Sequence, residues 1–244
     1  MQISSIIRRA AQVNPNGIAT IFEDRQQSWS QMLERVAQLA GALQSLGLKA
    51  GDRVALLSLN SDRYIEYYFA TVWAGGAMMP MNIRWAAAEC AYALNDAGAE
   101  ILIVDEAFKG VAAEVKSQVA GLKTLIYCGD AETPEGMVNY EDILTAADPV
   151  PDAGRSGDDL AGVFYTGGTT GFPKGVMLSH INFYVGGVAN AHEINMRDGI
   201  VYLHAAPMFH IADLLFFSAV TFMAGTHVVI PMFTPDSTLA AIDT

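Results

Sequence analysis

A layered α/β fold with largely parallel sheets is what the sequence predicts, on three observations. Short continuous apolar runs alternate with segments whose apolar residues recur every three or four positions. The order strand, helix, strand repeats on both sides of a polar stretch, as it does when helices cover the faces of a parallel sheet. Glycines punctuate the ends of the periodic segments.

Taken in order, Trp29, Met32, Leu33, Val36, Leu39, Ala40, Leu43 and Leu46 share one helical face, and Gly47 stands where a left-handed cap belongs. "RVALLSLN" (53–60) reads as a buried strand, and residues 62–74 as a helix ending at Gly75 and Gly76. Strand-like "AMMPM", helix-like "AAAECAYALNDAG", strand-like "ILIVD", a helix near 112–119 and strand-like "TLIYCG" continue the alternation. Between residues 129 and 159 the composition shifts to Pro, Asp, Glu and Gly. This predicts a boundary between a first α/β subdomain, residues 1–155, and the start of a second, residues 156–244. The second block reads as strand "LAGVFYT", a glycine loop leading into a helix over 179–193, strand "IVYLHAA", a helix over 212–223 and strand "HVVIP". The final "TPDSTLAAIDT" carries an N-cap at Asp236 and starts a helical pattern that stops at Thr244.

Of the 244 residues, 52% are hydrophobic and 16% charged, which is the composition of a globular chain. A net charge of -12 without any Lys/Arg run argues against nucleic acid as a partner, leaving small molecules and proteins. Cys90 and Cys128 sit in apolar surroundings and read as buried reduced thiols, fitting a cytoplasmic location. The arginines near the start lie inside the apolar segment, the wrong order for a secretory signal, and no stretch is long enough for a membrane span.

The chemistry concentrates in "VFYTGGTTGFPKGVMLSH" (163–180). Gly167, Gly168 and Gly171 let a ligand approach backbone N–H groups closely. Thr166, Thr169 and Thr170 add hydroxyls, and Lys174 adds a mobile positive charge; together they suit a phosphate-bearing ligand. Phe172 and Pro173 separate the last glycine from Lys174, and Gly175 follows it, so this is not the P-loop NTPase arrangement. Taken alone, His210 in its apolar setting reads as a hydrogen-bonded core histidine, His180 reads as structural, and His192, His204 and His227 lack metal-ligand spacing.

"YTGGTTGFPKGVMLSH" resembles the phosphate-binding signature of the adenylate-forming superfamily, which includes acyl-CoA synthetases, luciferases and peptide-synthetase adenylation domains. Gly167 stands where that signature most often has serine. The helix, strand, helix of residues 28–82, with its "AGG…PMN" turn, and the segment "APMFHIAD" (206–213) are similar to the same family. The resemblance spans nearly the whole chain and implies an incomplete N-terminal domain of an acyl-CoA synthetase-like fold. It implies that Thr166, Gly167, Gly168, Thr169, Thr170, Gly171 and Lys174 bind the ATP phosphates, with Thr166 touching magnesium. It also implies that His210 and Ile211 line the acyl or adenylate pocket, and that Lys174 and His210 act catalytically.

By the same resemblance a carboxylic acid attacks the α-phosphate of ATP, and CoA then takes the acyl group. The family's later nucleotide-binding and hinge segments would follow Thr244, so this chain should not turn over alone. The apolar "IADLLFFSAV" after His210 suggests a fatty or aromatic acid. Two alternatives stay open: an adenylating domain that loads a carrier protein, and a non-catalytic nucleotide-binding or interaction module. Apolar surface left uncovered by the missing half would favour a homo-oligomer.

Overall fold

The computed structural model describes residues 1–167 and 172–243. The chain opens with α1 (Ser5–Val13), the strands β1 (Ile18–Phe22) and β2 (Arg25–Ser28), and α2 (Trp29–Ser45). An alternating run follows: β3 (Arg53–Leu57), α3 (Asp62–Trp73), β4 (Ala77–Pro80), α4 (Ala87–Ala97), β5 (Ile101–Val104), α5 (Lys109–Gln118) and β6 (Thr124–Tyr127). Next come β7 (Val138–Asn139), α6 (Tyr140–Ala146), β8 (Leu160–Thr166), β9 (Lys174–Ser179) and α7 (His180–Glu193). The last elements are β10 (Val201–His204), α8 (Ile211–Phe222), β11 (Thr226–Val229) and α9 (Pro235–Ile242).

Among the described residues a seven-stranded sheet has the order β7-β6-β5-β3-β4-β8-β9 and a four-stranded sheet the order β10-β11-β1-β2. Among the described residues only the β8–β9 and β1–β2 pairs are antiparallel. The largely parallel α/β architecture is therefore as the sequence predicts. Each sheet draws strands from both sides of residue 155, so the sheets do not divide the chain there.

The two-residue period of a strand sorts the core. Val54, Leu56, Met78, Ile101, Ile103 and Ile126 face the layer of α2, α3 and α6. Their neighbours Ala55, Leu57, Met79, Leu102, Val104 and Leu125 face α4 and α5, where Cys90, Leu94, Ala112 and Val115 meet them. Both faces are covered, which is why these strands read as unbroken apolar runs. Both cysteines are free and buried.

Helix ends follow local chemistry. A capping box opens α2, with Gln31 N–H donating to Ser28 Oγ at 3.3 Å and Ser28 N–H to Gln31 Oε1 at 2.8 Å. Gly47, at φ +97°, closes it in the left-handed region. Every residue of α3 is buried, including Glu66, so its carboxylate needs donors. Arg35 supplies one at 2.6 Å, Tyr140 another at 2.7 Å and Gln27 a third at 2.8 Å. Residues 129–159 hold more than a polar connection, since β7 extends the sheet beside β6 and Asn139 caps α6. The cap of α9 is Thr234 and not Asp236: Thr234 Oγ1 accepts from Ser237 N–H at 3.0 Å and Pro235 occupies the first turn. Among the described residues no helix is long and apolar enough to cross a membrane.

His180, first in α7, is buried, and Ile3 N–H donates to its Nδ1 at 3.4 Å. Burial pushes its imidazole down to about 4. Between pH 6.5 and 4 the unfolded chain binds a proton that folded His180 refuses, so acid favours unfolding over that window. Stability should be at its plateau above pH 6.5 and fall by up to about 3 kcal/mol as pH drops to 4. Urea unfolding across this range tests it. His180→Gln should flatten the slope, and an identical slope in that variant would remove His180 as the cause.

Candidate functional site

The Gly/Thr-rich segment is flanked by the antiparallel pair β8 and β9. Thr166 and Lys174 are register partners across β8 and β9, and Thr166 Oγ1 donates to the Lys174 carbonyl at 3.4 Å. This corrects the sequence expectation of a loop leading into a helix. "KGVMLS" forms an outer strand first, and α7 starts only at His180, after Ser179 N–H has paired with Asn182 Oδ1 at 2.9 Å. A run of aliphatic residues on an edge strand has no helical period to hide, but six residues were too few to separate strand from loop. Gly175 is required by close approach: a Cβ there would lie 2.8 Å from Val163 Cγ1 and 3.1 Å from Tyr165 Cζ.

Thr166, Gly167 and Lys174 are exposed. Gly168, Thr169, Thr170 and Gly171 lie outside the described residues. Among the described residues Lys174 makes no ion pair, so its charge is available to a ligand.

His210 is the N-cap residue of α8, exposed, with its ring 4.1 Å from that of Phe209. Partial desolvation and then the Arg84 guanidinium lower its pKa from the ordinary histidine value, so the imidazole is neutral at pH 7. Arg84 follows β4, and Trp85 beside it meets the Tyr165 ring edge-on at 5.9 Å. Parallel β4 and β8 end on the same side of the sheet, so the segment carrying Arg84 and the β8 end of the hairpin lie toward that side. Ile211, also exposed, follows His210.

The turn leading to His210 is held from below by Asn60, which is buried. Its Oδ1 accepts from Met208 N–H at 2.8 Å, and its Nδ2 donates to Ala206 O at 2.8 Å and His204 O at 3.4 Å. The Tyr68 hydroxyl donates to Met208 O. Behind the turn lies a buried chain that sequence reasoning missed. Asp213 Oδ2 pairs with His204 Nδ1 at 2.8 Å, His204 Nε2 with His227 Nδ1 at 2.9 Å, and His227 Nε2 with Thr221 Oγ1 at 3.1 Å. All four residues are buried, and burial lowers the His227 pKa well below the ordinary value, so His227 is neutral. Nothing in the spacing of two histidines in separate short strands signals this pairing; parallel β10 and β11 create it by placing Tyr202 opposite His227.

Of the apolar segment after His210, Leu214 and Phe217 are spent on the core, the Phe217 ring lying 5.1 Å from Tyr68 and 4.8 Å from Phe69. Ile211 and Ala212 remain exposed. Among the described residues no group of three or more His, Cys, Asp or Glu is placed to hold a metal ion.

Residues 7–244 match the sequence pattern of the family described as AMP-binding enzyme. The chain is 29% identical over 232 residues to 4-hydroxybutyrate–CoA ligase 2 of Metallosphaera sedula, covering 91% of this chain and 42% of that protein. It is 32% identical over 236 residues to a feruloyl-CoA synthase of Amycolatopsis sp., covering 96% of this chain and 45% of that protein. The chain thus spans about half the length of the curated relatives it matches. Its fold superimposes on ATP-bound MatB of Rhodopseudomonas palustris with a TM-score of 0.86 at 29% identity, over 100% of this chain and 48% of that one. The motif, the fold and these matches agree, and the chain belongs to the family of AMP-binding, adenylate-forming enzymes.

Proposed function

We propose that this chain supplies the phosphate-binding hairpin and part of the acid site of an AMP-forming acid:CoA ligase. The observation that carries the reading is the end of the β8–β9 pair, where Thr166 and Lys174 are register partners and Lys174 makes no ion pair among the described residues. An acid carboxylate attacks the α-phosphate of ATP, the bond to the β-phosphate oxygen breaks, and acyl-AMP and pyrophosphate form. The CoA thiol then attacks the acyl carbon, loses its proton and expels AMP. The hairpin's task in the first step is to hold the polyphosphate in line and meet the charge that gathers on the departing pyrophosphate. Lys174 does this as a mobile point charge.

Magnesium suits the donors present: it keeps several waters and binds mainly through substrate phosphates, so one exposed hydroxyl, that of Thr166, is a fitting protein contribution. When bound it neutralises phosphate charge. A neutral His210 imidazole offers an N–H to the acid carboxylate without drawing the triphosphate away from Lys174. Fatty and aromatic acids are the proposed substrates, with Ile211 the apolar contact the site presents.

Acid-dependent exchange of labelled pyrophosphate into ATP, run on the full-length protein with fatty, aromatic and amino acids, tests the reading. Exchange with none of them overturns it, and product formed only on a phosphopantetheinyl protein reassigns the acceptor. In the same assay His210→Ala should raise KM for the acid about tenfold or more, the scale of losing one hydrogen bond to a charged group, while KM for ATP holds. An equal rise in both would point to general damage.

A further inference from the structure

Two side chains on one face of α4 reach the two stems of the glycine loop. The Tyr165 hydroxyl donates to Asp96 Oδ2 at 2.6 Å and to Ala93 O at 3.2 Å. On the other stem the Phe172 ring stacks on that of Tyr92, with centroids 4.4 Å and planes 20° apart. Tyr92 and Asp96 are four residues apart, one helical turn, so they stand one above the other. Tyr165 precedes the Gly/Thr-rich segment and Phe172 follows it, so a described residue on each side of that segment contacts the same helix.

The helix is a firm support. Its first turn is closed by Glu89 Oε2 accepting from Ala86 N–H at 2.9 Å, its end by Gly98 at φ +62°, and its inner face by buried Cys90, Ala91 and Leu94. The hairpin needs one. Among the described residues Thr166–Lys174 is the last pair of the ladder, and β9 is the outermost strand, with Val176 and Met177 exposed. Phe172 itself is 65% exposed, so burial does not fix its position; its stack on Tyr92 is the ring contact that does.

We propose that Tyr92 and Asp96 are positioning residues for nucleotide binding: through Phe172 and Tyr165 they set the spacing of the loop's stems and thereby its affinity for the polyphosphate of ATP. This rests on the reading of the hairpin as an ATP phosphate site. Neither residue need touch the substrate.

The test uses the full-length enzyme, with MgATP affinity measured by calorimetric titration alongside the kinetics of pyrophosphate exchange. Tyr92→Ala and Phe172→Ala should each weaken MgATP binding and raise KM for ATP about three- to tenfold, the worth of one aromatic pair. KM for the acid and the melting temperature should stay put. The double variant should be no worse than either single one, since both remove the same contact. Tyr92→Phe, which keeps the ring, should behave as wild type. Asp96→Ala should show the same ATP-selective loss, and Asp96→Asn, which retains an acceptor for the Tyr165 hydroxyl, should recover most of it. Wild-type affinity for MgATP in Tyr92→Ala and Asp96→Ala overturns the proposal and leaves the functional reading intact, as does an equal loss toward ATP and acid. Absence of exchange and of MgATP binding in the unmutated enzyme overturns both.

Discussion

Replacing Lys174 by alanine in the full-length enzyme should cut acid-dependent pyrophosphate exchange by about 10²-fold or more, the usual cost of removing one preorganised charge stabiliser from a transition state. The melting temperature should not move, because the side chain is exposed and makes no ion pair among the described residues. The β8–β9 ladder uses its backbone, which alanine retains. Lys174→Arg keeps the charge but changes its shape and reach, so partial activity is expected. A folded Lys174→Ala protein with unaltered exchange would show that the hairpin does not handle the leaving group.

The second large effect concerns stability. Asp213→Ala should lower the unfolding free energy by about 3 kcal/mol, since it strips the partner from a buried histidine nitrogen. Two proton orders satisfy the chain. If Thr221 donates to Phe217 O, at 2.9 Å, then His227 Nε2–H donates to Thr221, and His227 Nδ1 accepts from His204 Nε2–H. A further proton then lies between His204 Nδ1 and Asp213. If Thr221 instead turns its proton to His227 Nε2, every bond reverses and His204 Nδ1–H donates to Asp213 Oδ2. In the second order asparagine can still accept through its carbonyl oxygen, so Asp213→Asn should lose markedly less stability than Asp213→Ala. Urea denaturation of the three proteins decides it: an alanine variant as stable as wild type would mean the chain contributes nothing net. Because Asp213 lies one turn after His210, with its N–H donating to His210 O at 3.1 Å, the alanine variant should also bind the acid less well.

How much of this was legible depends on whether the information was local. The helix of 29–45 declared itself through a long apolar period ending at Gly47, and that of 62–73 through its end at Gly75. Residues 18–28 did not, because β2 carries the polar run Arg-Gln-Gln-Ser and is a strand only by pairing with β1. α6 was hidden by its seven-residue length within a stretch rich in turn formers. At the site, Lys174 and His210 were readable as residue types in a motif. Their setting was not: Asn60 lies 148 residues from Met208 and Asp96 lies 69 from Tyr165, distances that no local pattern encodes. The lowered pKa of His210 likewise depends on partial desolvation and then on Arg84, both supplied only by the fold.

The pairing of β1 with β11 carries a consequence for biogenesis. Thr226 Oγ1 meets Ile18 O across 208 residues of chain. During synthesis at about 5–20 residues per second, the amino-terminal β1–β2 pair must therefore wait roughly 10–40 s for the strand that completes its sheet. Until then one edge of β1 is open to any passing extended segment. The nascent polypeptide is open to mispairing at β1, and that window shuts only when β11 clears the ribosome.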